Sequence, residues 1–126
     1  MTTILVVEDD PNVRKFVAIN LMKRGYQVVE GENGHQALEH LYEHTPDLIV
    51  LDIKLPDLSG WDILERLNST AALPADLPVL VMTASPLNQA GILSKYPRVT
   101  EILIKPFNLD MLIAAIQRAL KRKKSE

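Results

Sequence analysis

With 126 residues, 47% of them hydrophobic and 24% charged, the chain is long enough to bury one core and short for two ordinary domains. A net charge of −2 argues against a protein built mainly to hold nucleic acid, and the lack of cysteine excludes disulfides, thiolate metal sites and a cysteine nucleophile. No apolar run approaches the ~20 residues of a membrane span and no basic stretch precedes a longer apolar one, so the expectation is a cytoplasmic protein without a signal peptide or membrane contact.

Short apolar runs then alternate with helix-period segments five times. Thr3–Val7 reads as an apolar strand, and Val13, Phe16, Val17, Ile19 and Leu21 follow at helical spacing. Residues 26–30 form a second, weaker strand, and after Glu32-Asn33-Gly34 a helix carries Ala37, Leu38 and Leu41. Pro46 introduces a third strand at 48–51; past Pro56 and Gly60 comes a helix with Ile63, Leu64 and Leu67. A fourth strand is predicted at 78–82, and Ser85-Pro86 has the form of an N-cap with proline at the first helical position. Gly91 and Pro97 predict a short or irregular fourth helix. Residues 102–104 give a fifth, short strand, and Asn108 caps a last helix burying Leu112, Ile113, Ile116 and Leu120.

Strands apolar throughout are those covered by helices on both faces, so the pattern predicts an α/β, (βα)5 doubly wound parallel sheet. We assign it to residues 1–121, with a basic tail at 122–126. The cluster Arg118, Lys121, Arg122, Lys123 and Lys124 complements the dipole of a helix C-terminus; without interleaved aromatics it does not read as a nucleic-acid or membrane patch.

In open parallel α/β sheets ligands bind beyond the carboxyl ends of the strands. Glu8, Asp9 and Asp10 follow the first strand, Asp52 the third, Thr83 the fourth and Lys105 the fifth. Clustered carboxylates repel one another unless a cation intervenes. Oxygen ligands with no His or Cys favour Mg²⁺, which keeps waters and adds phosphate oxygens to one or two carboxylates. A lysine and a hydroxyl opposite can hold further phosphate oxygens. Such a rim suits one phosphoryl group and one divalent ion.

Four segments, Ile4-Leu5-Val6-Val7-Glu8-Asp9-Asp10, Asp52-Ile53-Lys54-Leu55-Pro56-Asp57-Leu58-Ser59-Gly60, Met82-Thr83-Ala84 and Lys105-Pro106-Phe107, resemble the receiver domains of bacterial response regulators. They stand in the family's order and spacing and span essentially the whole chain. The resemblance implies a flavodoxin-like receiver fold with strand order 2-1-3-4-5 and a cis Lys105–Pro106 bond. It implies Asp52 as phosphoacceptor, with Thr83 and Lys105 holding the phosphoryl group. Mg²⁺ would be bound by Glu8, Asp9, Asp52 and the backbone carbonyl of Lys54, Glu8 acting mainly through water. Lys54 and Ser85 would tune the phosphate lifetime. The implied partners are a sensor histidine kinase or histidine phosphotransfer protein and a downstream protein target or output domain. A homodimer could form through the fourth helix, fifth strand and fifth helix. No direct nucleic-acid contact is implied for this domain, and the expected role is a signalling switch rather than a turnover enzyme.

Other residues carry plainer readings. Asp10 precedes Pro11 and caps the first helix, Asp57 is a turn residue, and Trp61 is a partly buried packing residue. His40 and His44 lack a third ligand and read as a solvated helix face. Ile102 stands where receivers usually carry a switching aromatic, and Val99-Thr100 replace the usual Gly-Ala pair. Those departures keep open a receiver-like interaction module that works without phosphorylation, with any switching shifted to the backbone around Thr83 and Ala84. An Mg²⁺-dependent phosphohydrolase is disfavoured, because Lys54 stands where such enzymes place a second aspartate.

Overall fold

Five parallel strands, in the order β2-β1-β3-β4-β5, form the centre of the computed structural model. It describes all residues except 71–72, 85–87 and 125–126, and the backbone alone at 122–124. The elements alternate along the chain: β1(Thr3–Val7), α1(Pro11–Lys23), β2(Gln27–Gly31), α2(Gly34–Glu43), β3(Leu48–Asp52), α3(Gly60–Asn68), β4(Val79–Thr83), α4(Gln89–Lys95), β5(Val99–Ile104) and α5(Leu109–Lys124). The fold class and strand order are those expected from the sequence. Among the described residues no helix is long and apolar enough to cross a membrane.

Strand alternation divides the core in two. Leu5, Val7, Ile49, Leu51, Val79 and Val81 point to one face, where Ala37, Leu38 and Leu41 of α2, Ile63, Leu64 and Leu67 of α3, and Ile92 and Tyr96 cover them. Ile4, Val6, Leu48, Val50, Leu80 and Met82 point to the other, under Val17 and Leu21 of α1 and Leu112, Ile113 and Ile116 of α5. The three inner strands are buried at nearly every position, which is why their sequences read as unbroken apolar runs. The edge strands β2 and β5 are mostly half-buried and carry polar residues. That is why β5 begins three residues before the expected 102, and why β2 occupies Gln27–Gly31 rather than 26–30. The extra residues of β5 pair with β4 around an irregularity between Val79 and Leu80.

The caps set where the helices point. Asp10 Oδ1 accepts the Asn12 N–H at 2.9 Å, and Asn108 Oδ1 accepts that of Met111 at 2.8 Å, both as the sequence suggests. The fourth helix differs from expectation. It starts at Gln89, with Asn88 as the N-cap accepting the Gly91 N–H, while Ser85-Pro86 lie outside the described residues. With seven residues it is short, as Gly91 and Pro97 suggest. Gly25 turns the chain from α1 to β2 at φ +88°, a conformation that disfavours any side chain. The last helix runs on to Lys124, past position 121.

Candidate functional site

Strand order reverses between β1 and β3, and the crevice opens where their carboxyl ends diverge. Asp52 and Thr83 are the last residues of β3 and β4, included in the strands rather than following them. Glu8 directly follows β1, its N–H bonded to the Gly31 carbonyl at 3.0 Å. Lys105 directly follows β5, its N–H bonded to the Thr83 carbonyl at 2.8 Å, and the Lys105–Pro106 bond is cis. These backbone ties make the rim a property of the sheet rather than of mobile loops. The residues line one cavity of about 750 Å³ together with Asp9, Lys54, Ser59, Trp61 and Ala84.

Glu8 is fully buried, Asp52 and Thr83 nearly so, and Asp9 is exposed. Carboxylate oxygens of Glu8, Asp9 and Asp52 all lie within 4.8 Å of one another. Lys105 Nζ sits 2.5 Å from Glu8 Oε1 and 3.4 Å from Asp52 Oδ2. Burial pushes the Glu8 carboxyl above its usual range, against the hydrogen bond from Lys105 and with the neighbouring Asp52 charge adding to the rise. Desolvation and the Glu8 charge likewise raise Asp9. Burial alone would lower Lys105, but its acidic partners prevail and raise it. An all-oxygen donor set, in which burial and crowding raise Glu8 and Asp9, fits a hard divalent cation. Asp52 Oδ1 also accepts the Lys54 N–H at 3.3 Å, which brings residue 54 to the same wall.

Two supports escaped the sequence reading. Arg14 of α1 is buried, donates from Nη1 to the Glu8 carbonyl at 2.9 Å, and pairs with Glu30 at 3.2 Å and Glu32 at 3.7 Å. It braces the turn that presents Glu8 and Asp9. Asp57, read as a turn residue, bridges two elements: Oδ1 accepts the Gly34 N–H at 2.7 Å, and Oδ2 accepts that of His35 at 3.0 Å and also meets the His35 ring. Although partial burial opposes it, those N–H groups hold the Asp57 carboxyl well below the usual range. The loop from β3 is thereby pinned to the N-terminus of α2. Gly60 closes that loop; a Cβ there would lie 2.7 Å from the Ile53 Cα and 2.9 Å from the Asp52 carbonyl oxygen, so α3 starts flush against the end of β3. Ile102 is partly buried and packs against the core face that α2, α3 and α4 cover. His40 and His44 join no group of potential metal ligands among the described residues.

Fold and site together define a doubly wound α/β domain that works at an acid-lined carboxyl rim. The response regulator receiver domain profile matches residues 4–117. Transcriptional regulatory protein KdpE of Mycobacterium tuberculosis is 34% identical over 122 residues, covering 97% of this chain and 52% of that protein. The phosphate regulon transcriptional regulatory protein PhoB of Pseudomonas aeruginosa is 33% identical over 120 residues, covering 95% and 52%. The chain thus spans about half the length of these curated relatives. Response regulator TrrA of Thermotoga maritima, solved in complex with Mg(2+)-BeF, superposes with a TM-score of 0.81 at 30% identity, covering 95% of this chain and all of that one. A CheY-like receiver domain protein of Methanospirillum hungatei shares the fold with a TM-score of 0.87 at 22% identity, covering 99% and 98%. The chain belongs to the response regulator receiver domain family and is a receiver domain of the two-component type.

Proposed function

We propose that this receiver takes a phosphoryl group on Asp52 and releases it to water, acting as a switch rather than a turnover enzyme. The observation that carries this reading is the convergence of buried Asp52, Glu8 and Thr83 with half-buried Lys105 in one open cavity at the strand ends. A carboxylate oxygen of Asp52 attacks phosphorus of a phosphohistidine or a small phosphodonor. The P–N or P–O bond to the donor breaks with its electron pair leaving on the donor atom, and an acyl phosphate forms. Water later attacks the same phosphorus, yielding inorganic phosphate and the free carboxylate.

Transfer of this kind gains mostly from positioning and charge neutralisation. Lys105 would neutralise phosphoryl oxygens, and the Thr83 hydroxyl would donate to one. Glu8, Asp9, Asp52 and the Lys54 carbonyl would hold Mg²⁺, which when bound supplies a counter-charge to the incoming oxygens. The relative solved with Mg(2+)-BeF supports that assignment. The donor in the cell would be a histidine kinase or phosphotransfer protein, and the response would appear on α4, β5 and α5, where a downstream protein, an output domain or a second copy binds. Relatives of about twice the length are transcriptional regulators by name, which favours a regulatory output.

Intact mass after incubation with Mg²⁺ and acetyl phosphate tests the reading. One added phosphoryl group is expected, dependent on Mg²⁺ and absent in Asp52→Asn. No adduct from acetyl phosphate or from any histidine-phosphorylated donor would leave the phosphorylation-independent interaction module.

A further inference from the structure

Trp61 is the single tryptophan of the chain and follows Gly60, the residue pressed against the end of β3. It lines the acid cavity with Asp52, Lys54 and Thr83. It also lines a second groove of about 450 Å³, shared with Asn88, Ile92 and Lys95 of the α4 region. There its indole stacks on Tyr96, with ring centroids 5.8 Å apart and planes inclined by 23°. Tyr96 is buried, forms the C-cap of α4, and donates its hydroxyl to Glu65 of α3 at 3.1 Å. The Lys95 ammonium lies 5.3 Å from the Tyr96 ring and 3.5 Å from the same Glu65. The Tyr96 carbonyl accepts the Val99 N–H at 2.9 Å, so the same residue also sets the start of β5.

We propose that the Trp61–Tyr96 stack carries the state of the Asp52 site to the end of α4 and the start of β5, where Ile102 leaves no aromatic on β5 to do so. The inference rests on reading Asp52 as the phosphoacceptor. A phosphoryl group replaces the single charge of the Asp52 carboxylate with a phosphate charge of roughly −1.5 to −2, carried on oxygens that stand farther into the cavity that Trp61 lines. Aromatic rings are negative on the face and positive at the edge, so that charge favours ring orientations turning the edge toward the cavity. The indole rests on a buried ring, and close packing does not deform continuously. A reorientation of Trp61 therefore displaces Tyr96, the α4 terminus that it caps and the first residue of β5. This is a local two-state element that one charge biases.

The experiment follows Trp61 emission and amide exchange at residues 92–104 during phosphorylation by acetyl phosphate and Mg²⁺, with intact mass read on the same samples. In the unsubstituted protein the emission change should track the adduct, and exchange at 92–104 should change with it. In Tyr96→Leu the adduct should still form, while the exchange response shrinks roughly fivefold or more, within the ordinary span of allosteric coupling. Tyr96→Phe keeps the stack and loses only the hydroxyl's interactions with Glu65 and Lys95, so it should retain the response. An adduct with unchanged emission in the unsubstituted protein overturns the inference while leaving the acceptor reading intact. So does a full exchange response in Tyr96→Leu. If Tyr96→Leu fails to fold, emission in the unsubstituted protein and the Tyr96→Phe response decide. No adduct at all removes the acceptor reading and the inference with it.

Discussion

Lys105 reaches across the carboxyl rim to Glu8 more closely than to Asp52, with Nζ 2.5 Å from the Glu8 carboxylate and 3.4 Å from that of Asp52. Lys105 and Glu8 are 97 positions apart, so this contact fastens the end of β5 to the end of β1 across the two intervening strands, β3 and β4. Removing the ammonium would leave a fully buried carboxylate without its cation. Lys105→Met, which keeps much of the stem's volume, is expected to cost about 3 kcal/mol. This is the low end for a buried pair, because 22% of the Lys105 side chain stays in solvent. Millimolar Mg²⁺ should restore part of the loss by neutralising the same acids. Urea unfolding with and without Mg²⁺ measures both quantities, and a loss that Mg²⁺ leaves untouched would count against a shared cation site.

Gly60 is fixed by contact rather than by backbone conformation. A methyl group there meets the Ile53 Cα and the Asp52 carbonyl, neither of which can move without shifting the end of β3. Gly60→Ala should therefore cost about 1–3 kcal/mol, as overpacking does. It should also slow adduct formation at Asp52 out of proportion to the fraction unfolded. Phosphorylation rate and denaturation midpoint, measured on one preparation, separate the two effects. A variant of native stability would show that the neighbouring backbone gives way easily.

Asp57 supplies the pH-dependent part of the loop's anchorage. Its carboxylate accepts from Gly34 and His35 at the start of α2 and from its own neighbour Leu58 at 2.8 Å. Its folded pKa lies below the ordinary carboxylate value, so the stabilisation is fully present above that value and is lost as pH falls through the folded one. Asp57→Asn should cost about 1 kcal/mol at neutral pH, the usual scale of an N-terminal cap. The difference between variant and parent should close as the solution is acidified below the ordinary carboxylate pKa. Urea midpoints taken from neutral to strongly acid pH check the sign. A gap that widens on acidification would contradict it.

These residues also show what a sequence can disclose. The carboxyl rim was legible because inner parallel strands are apolar almost to their ends, so the first polar residue of each run marks the carboxyl edge: Glu8, Asp52 and Thr83 read in this way, and Lys105 follows the apolar end of edge strand β5. Edge strand β5 hid its start, since Thr100 and Glu101 sit in a half-buried strand with no apolar signature. Asp57 looked like a turn residue because its role depends on partners 22 and 23 positions earlier, which no local pattern encodes. Trp61 read as packing, and it does pack, but its place on two cavities follows only from how α3 meets α4. Arg14 was the least legible. A cation in the first turn of α1 ordinarily faces solvent, and only the fold turns it inward toward Glu8.

Arg14 accordingly offers the sharpest separation between supporting a site and belonging to it. Its guanidinium holds the Glu8 carbonyl and both glutamates at the end of β2, while its side chain is only 10% exposed. It touches none of the carboxylate oxygens that would bind a cation; its contact at Glu8 is with the main chain. Arg14→Met keeps apolar bulk and removes the fork of donors. A hydrogen bond to a charged group contributes about 1.5–3 kcal/mol, and a loss in that range is expected. The slackened turn between β1 and α1 should also weaken Mg²⁺ binding several-fold, although no presumed ligand has changed. Arg14→Lys should recover the charge but not the fork that reaches Glu8, Glu30 and Glu32 at once, and so regain only part of either quantity. Mg²⁺ titration followed by Trp61 emission, alongside urea unfolding of both variants, measures them together. Native Mg²⁺ affinity in a destabilised Arg14→Met would confine Arg14 to a structural role. Parallel losses, partly rescued by lysine, would establish it as the residue that positions the Glu8–Asp9 turn.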